Sequence, residues 1–192
     1  METYVDAVGM DTAATTTTET TASSKNKKKL KVMVAIDESK NSFYALEWAV
    51  EHLKDVMSAE PEIDQEGGLL TLVHVNPSGA TASATDSVPE LMKKAGVQST
   101  NLFTPALELC RAKMVGDLRT CVKTETMILE GDPKEMICQA VEQAHVDLLV
   151  VGSRGLGMIK RAFLGSVSDY CVQHAQCPVL IVRPPKETSS SK

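Results

Sequence analysis

From residue 30 onward the chain alternates short apolar runs rich in β-branched residues with longer stretches of helical periodicity, and this alternation constrains its fold more than any other feature. Leu30–Ile36 (LKVMVAI), Leu69–Val75 (LLTLVHV), Val122–Leu129 (VKTETMIL), Asp147–Gly152 (DLLVVG) and Pro178–Val182 (PVLIV) read as five strands. The third alternates polar and apolar residues, which predicts an edge strand, whereas the second and fourth are nearly continuous and predict burial on both faces. Four helices separate the strands. Ser39 caps one whose apolar face is Leu46, Ala49, Val50 and Leu53. A loop over Pro77–Pro89, rich in Ser, Ala, Thr and Gly, precedes an amphipathic helix around Leu102–Leu118. Asp132-Pro133-Lys134-Glu135 has the arrangement of a capping box, with Ile137, Ala140, Val141 and Ala144 as the buried stripe behind it. The last helix starts near Ser166 and carries Val167, Tyr170, Cys171 and His174 at helical spacing. No internal repeat interrupts this order. Strand–helix alternation of this kind implies right-handed crossovers and a parallel sheet covered on both faces, an α/β architecture.

The 192 residues suit one domain with tails rather than two domains. Residues 1–29 contain no Leu, Ile, Phe or Trp and are mostly Thr, Ser and Ala between Asp11 and Ser24, so they are expected to form a disordered tail. The folded domain is expected over residues 30–185, with 186–192 a flexible C-terminal tail. Four acids (Glu2, Asp6, Asp11, Glu19) balance four lysines (Lys25, Lys27, Lys28, Lys29) in the first tail, so the net charge of −5 lies wholly in residues 30–192. That balance argues against a general nucleic-acid binder. The tail lacks the Arg content of a transit peptide, and the lysines near its end read as a solvated charge run more readily than as a contact for an acidic membrane. Its Thr/Ser tract offers phosphorylation targets. No apolar run approaches the ~20 residues of a membrane helix, and no secretory h-region is present. Five cysteines, an odd number without CxxC spacing, fit reduced thiols. An intracellular protein without integral membrane association is expected.

In an open α/β sheet, ligands gather at the carboxyl ends of the strands. Asp37 follows the first strand, Val75-Asn76-Pro77 ends the second, and Gly152-Ser153-Arg154-Gly155-Leu156-Gly157 follows the fourth. Three glycines in six residues let backbone N–H groups approach an anion closely, and Gly165-Ser166 adds a helix start with unpaired N–H groups. The P-loop pattern is absent, and Lys160 stands where a dinucleotide fingerprint requires Gly.

The remaining pattern is Gly152-x2-Gly155-x9-Gly165-Ser166. It stands with VAIDES at 34–39, LVHV at 72–75, DLLVVGSRG at 147–155, LGSVSDY at 164–170 and CPVLIV at 177–182. Over residues 30–184 the chain thereby resembles the universal stress protein family, in its ATP-binding branch and plant type. The resemblance implies a three-layer fold, an open parallel five-stranded sheet of order 3-2-1-4-5 with helices on both faces, Rossmann-like in the manner of adenine nucleotide alpha hydrolases. It implies ATP or AMP as ligand. Ala35, Ile36 and Val75 match positions against the adenine, and Asp37 matches the acid near ribose and base. Gly152, Arg154 and Gly155 match the turn meeting ribose and phosphates, and Gly165, Ser166, Val167 and Ser168 match the segment around the phosphate chain. Arg154 stands where the family often has His, and an arginine keeps its charge at all physiological pH values. Mg²⁺ is expected to accompany ATP, since it bridges phosphate oxygens with few protein ligands. A homodimer through Pro178–Val182 and a cytoplasmic setting that extends to the nucleus are implied as well; the signalling partner stays unknown.

Each reading has a plainer competitor. Asp37 could cap the helix that follows it, Gly152 and Gly155 could form an ordinary tight turn, and Lys160 and Arg161 could be solvated rather than steering a polyphosphate. Ser166 is read as both helix cap and ligand, and His74 as a satisfied core histidine rather than a base. Cys171-x2-His174-x2-Cys177 supplies only three ligands, so packed thiols are favoured over zinc. The leading function is a nucleotide-binding stress sensor or regulator. The enzyme alternative is a slow ATPase or self-phosphorylating protein using Ser166 or Ser168, without the SGGxDS, HIGH or KMSKS motifs of related ATP enzymes. The third is a nucleotide-independent chaperone or interaction module.

Overall fold

The computed structural model describes residues 29–58, 68–77, 88–114, 122–155 and 164–185. Its elements are β1 (Lys31–Ala35), α1 (Lys40–Met57), β2 (Leu69–Asn76), α2 (Val88–Met114), β3 (Lys123–Glu130), α3 (Pro133–Ala144), β4 (Leu148–Gly152), α4 (Ser166–His174) and β5 (Val179–Val182). All four strand pairings are parallel and the order is β3-β2-β1-β4-β5, as the resemblance implies. Both expected tails, the Pro77–Pro89 loop apart from Pro77 and its last two residues, and Lys160 and Arg161 lie outside the described residues, Lys29 excepted.

The period-2 alternation of the strands sorts side chains onto two cores. Val32, Val34 and Ile36 with Leu70 and Leu72 pack against Ala45, Leu46, Ala49 and Val50 of α1 and Phe103, Ala106 and Cys110 of α2. On the other face Met33, Val73, Val75, Leu149 and Val151 meet Ile137, Ala140 and Val141 of α3 and Cys171 of α4. Burying each large aliphatic side chain contributes roughly 1.5–3 kcal/mol, which holds the carboxyl ends of β1, β2 and β4 as one rim. β3 stands at one edge with an alternating burial pattern, in accord with its alternating sequence.

Two helices differ from expectation. α2 begins at Val88, fourteen residues before Leu102, because residues 88–101 have helical backbone without an apolar stripe to advertise it, and it continues through Pro105. Residues 115–118 of the expected helix lie outside the described residues. In α4 the inward residues are Val167, Ser168 and Cys171, while His174 is exposed and stacks on Tyr170. Ser39 caps α1, its hydroxyl accepting from the Ser42 N–H at 3.3 Å. Asp132 caps α3 through the Lys134 N–H, one position earlier than a capping box, with Pro133 at the first helical position.

Candidate functional site

At the end of β1 the chain leaves the sheet through Asp37, whose carboxylate is held by the next turn. Its Oδ1 accepts from the Ser39 N–H at 3.0 Å and from the Ser39 hydroxyl in a short contact. The Ser42 hydroxyl accepts from the Asp37 N–H at 3.1 Å and lies 2.8 Å from the Asp37 carbonyl, to which it donates. Asp37 therefore braces the cap without being the cap. One oxygen is committed to Ser39, and Oδ2 faces Gly155, where a Cβ would lie 2.6 Å from it.

The end of β2 offers a second set of polar groups. Even-numbered residues turn their peptide groups toward β3, as the bond from Gly131 N–H to the Asn76 carbonyl shows, and odd-numbered ones turn toward β1, as Ile36 N–H to the Val73 carbonyl shows. Val75 thus points its N–H and C=O toward β1 beyond that strand's end, and no backbone bond among the described residues uses them. His74 has Nδ1 3.0 Å from the Ile36 carbonyl and Nε2 3.1 Å from the Asn76 side-chain oxygen, with its ring edge-on to Phe103. Both ring nitrogens are engaged, in agreement with the reading of a satisfied histidine.

The glycines beyond β4 serve different purposes. A Cβ on Gly152 would meet the Asn41 carbonyl oxygen at 2.9 Å, so this glycine lets β4 approach the first turn of α1. Gly165 packs against the Arg154 backbone and donates its N–H to the Ser153 carbonyl at 2.9 Å, which brings the start of α4 back to the turn after β4. Gly165, not Ser166, is the N-cap of α4 and makes no side-chain capping bond. Ser166 is exposed at the first helical position, which corrects its assignment as cap; with no side chain spent on the helix N-terminus, the first-turn N–H groups keep their affinity for an anion. Ser168 is 3% exposed, and its hydroxyl lies 2.9 Å from the Gly165 carbonyl and 3.4 Å from that of Ser153.

These groups surround one cavity of about 290 Å³, near the lower end of the ~300–1,000 Å³ range of small-molecule sites. All eleven residues singled out from the sequence line it: Ala35, Ile36, Asp37, Val75, Gly152, Arg154, Gly155, Gly165, Ser166, Val167 and Ser168. Pro77, named at the end of the second strand, lines it too, whereas sequence reasoning missed Pro133 and Ile137 of α3, which form an apolar wall, together with Ser42, Val73, His74 and Val151. Pro133 and Ile137 carried a signal only as cap and core. The cavity is thus apolar against β2 and α3 and donor-rich along the turn after β4, with Asp37 as the carboxylate between.

Cys171 is fully buried in the core beneath this site, and burial first, then the neighbouring Cys138 and Cys177 thiols, pushes its pKa up to about 12. Cys110, on the buried face of α2, is pushed up to about 11 by the same loss of hydration. Such thiols stay protonated and pack as small apolar groups. His174 places Nδ1 2.9 Å from the Tyr170 carbonyl, and among the described residues no group of three or more His, Cys, Asp or Glu side chains has a metal-holding arrangement. No described helix is long and apolar enough to cross a membrane.

Comparison with known proteins adds a family frame. The model of the universal stress protein family matches residues 30–183. The Arabidopsis thaliana universal stress protein PHOS34 is 30% identical over 176 residues, 82% of this chain and 63% of its own length. The matched segments span 35%, 63% and 66% of three curated Arabidopsis relatives. The solved universal stress protein UspA of Lactobacillus plantarum, 25% identical, superposes with a TM-score of 0.62 over 82% of this chain and 100% of its own. A universal stress protein family protein of Arabidopsis thaliana, solved with AMP bound, is 30% identical with a TM-score of 0.54, covering 85% of this chain and 97% of that one.

Proposed function

The chain belongs to the universal stress protein family, and from that premise we propose that it binds an adenine nucleotide, AMP or ATP, as a stress-response sensor or regulator rather than as a high-turnover enzyme. The observation that carries this reading is the joining of two unlike ends in one cavity. The Val75 peptide group, unpaired among the described backbone bonds, stands at the apolar end, and the α4 N-terminus, without a side-chain cap, stands at the other. The AMP bound to the Arabidopsis neighbour supports the ligand class. In this reading adenine lies against Ala35, Ile36 and Val75, Asp37 takes the ribose side through its Oδ2, and Gly152, Arg154 and Gly155 with Gly165, Ser166, Val167 and Ser168 take the phosphates. Backbone N–H donors supply most of the anion affinity, so a net charge of −5 is no obstacle.

Mg²⁺ with ATP would rest mainly on phosphate oxygens and water, since Asp37 is the sole carboxylate among the described cavity residues and one of its oxygens is committed to Ser39. Ser168 has its hydroxyl proton directed at backbone carbonyls, which leaves Ser166 as the hydroxyl open to phosphoryl transfer in the enzyme alternative. Dimerisation through the β5 edge is part of the proposal: Pro178 and Val182 turn their carbonyls to β4, so the intervening Val179 and Ile181 peptide groups face outward. A cytoplasmic and nuclear setting completes it.

Calorimetry with AMP, ATP and GTP tests the reading. AMP and ATP are expected to bind and GTP to bind far more weakly; failure of both adenine nucleotides would sink it. Incubation with γ-labelled ATP is expected to give no label transfer or phosphate release above a Ser166→Ala control.

A further inference from the structure

Parallel pairing of β1 with β2 proceeds rung by rung to the bond from Ile36 N–H to the Val73 carbonyl at 2.9 Å. The next rung would run from Val75 N–H to the Ile36 carbonyl, because successive bonds of a parallel ladder use alternate residues of each strand. That rung is not formed. The Ile36 carbonyl lies instead 3.0 Å from His74 Nδ1. A carbonyl oxygen only accepts, so Nδ1 carries the proton and donates it. Nε2 faces the Asn76 amide at 3.1 Å, and turning that amide presents its N–H₂ to Nε2. Phe103 of α2 meets the imidazole edge to face, with ring centroids 6.4 Å apart, and fixes its plane. The same peptide unit is gripped at its other end, where the Asp37 N–H donates to the Ser42 hydroxyl at 3.1 Å.

We propose that His74 is a positioning residue of the base subsite: its Nδ1–H holds the Ile36 carbonyl out of the β1–β2 ladder and so keeps the Val75 N–H and C=O open to the base. The inference rests on the adenine nucleotide reading for its ligand, while the open ladder rung is a property of the protein alone. His74 touches the base subsite through Ile36 and Val75, not by reacting.

The test compares the full chain with His74→Leu, which removes the donor, and His74→Asn, whose amide nitrogen occupies the place of Nδ1. Hydrogen exchange of the Val75 amide without nucleotide, the AMP dissociation constant and the thermal midpoint are measured for each. Fast Val75 exchange is expected in the wild type and in His74→Asn, and slowed exchange in His74→Leu, where the rung closes. AMP binding is expected to weaken about tenfold in His74→Leu and to stay within about threefold of wild type in His74→Asn. A Val75 amide already protected in the nucleotide-free wild type overturns the inference, and so does equal AMP affinity or an equal loss in the two variants. If the wild type binds no AMP, the nucleotide reading fails, yet the exchange comparison still decides the role of His74. Should His74→Leu not fold, the nitrogen chemical shifts of wild-type His74 decide it: a ring protonated at Nε2 alone overturns the proposal.

Discussion

The two ends of the cavity are built by different means. Where β1 and β2 finish, side chains do the work: Asp37, Ser39, Ser42 and His74 hold one another and the intervening peptide groups through interlocking hydrogen bonds. Where β4 hands over to α4, the backbone does it, with Gly152 against Asn41, Gly155 against Asp37 and Gly165 bonded to Ser153. Removing one member of a side-chain network takes away only the bonds that member made. A junction made by missing Cβ atoms fails when an atom is added, since close-packed neighbours yield little.

The sharpest test of that contrast is Gly155→Val. Its Cβ would displace the Asp37 carboxylate, which cannot move without giving up Ser39, so AMP and ATP affinity should fall at least about 100-fold by calorimetry, with stability lowered by only about 1 kcal/mol. Gly152→Ala should act first on stability. The obstacle there is the α1 backbone, so denaturant unfolding should show a loss of about 2 kcal/mol. If Arg154 meets the phosphates as proposed, Arg154→Ala should weaken ATP about tenfold and AMP less, with a shallower salt dependence, because the charge-assisted contact would be lost. Ser39→Ala, within the side-chain end, should lower stability by only about 1 kcal/mol, as expected for a lost helix cap.

Alkaline pH should affect the α4 end through its buried thiol. The pKa of Cys171 is raised on folding from about 9 to about 12, so its contribution is fully present below pH 9 and is lost as pH rises toward 12. Unfolding curves between pH 8 and about 10.5 should show falling stability, with a shallower fall in Cys171→Ala. An unchanged slope would break the link between this thiol and the packing of α4.

Much of this was legible because apolar runs with sharp ends, such as Leu69–Val75 and Asp147–Gly152, leave little choice of strand, and because Asp37 and Gly155 sit just past such ends. α2 was legible only from Leu102, where Phe103, Ala106 and Cys110 make a stripe. Pro133 and Ile137 could not be seen as cavity residues, since a residue that walls a site and one that fills a core share the same apolar signature. Gly152 shows the same ambiguity from the other side: the sequence reports that a Cβ is absent, and the fold reports that α1 is what required its absence.

Local chemistry therefore set the element types, the parallel α/β order and the positions where backbone donors would be exposed, because periodicity and glycine spacing act along the chain. Which groups face one another was decided only by tertiary packing. The Ile36 carbonyl turns to His74 rather than to Val75, and Asp37 Oδ2 meets the space left by Gly155, because residues far apart in sequence are brought together where the strands end.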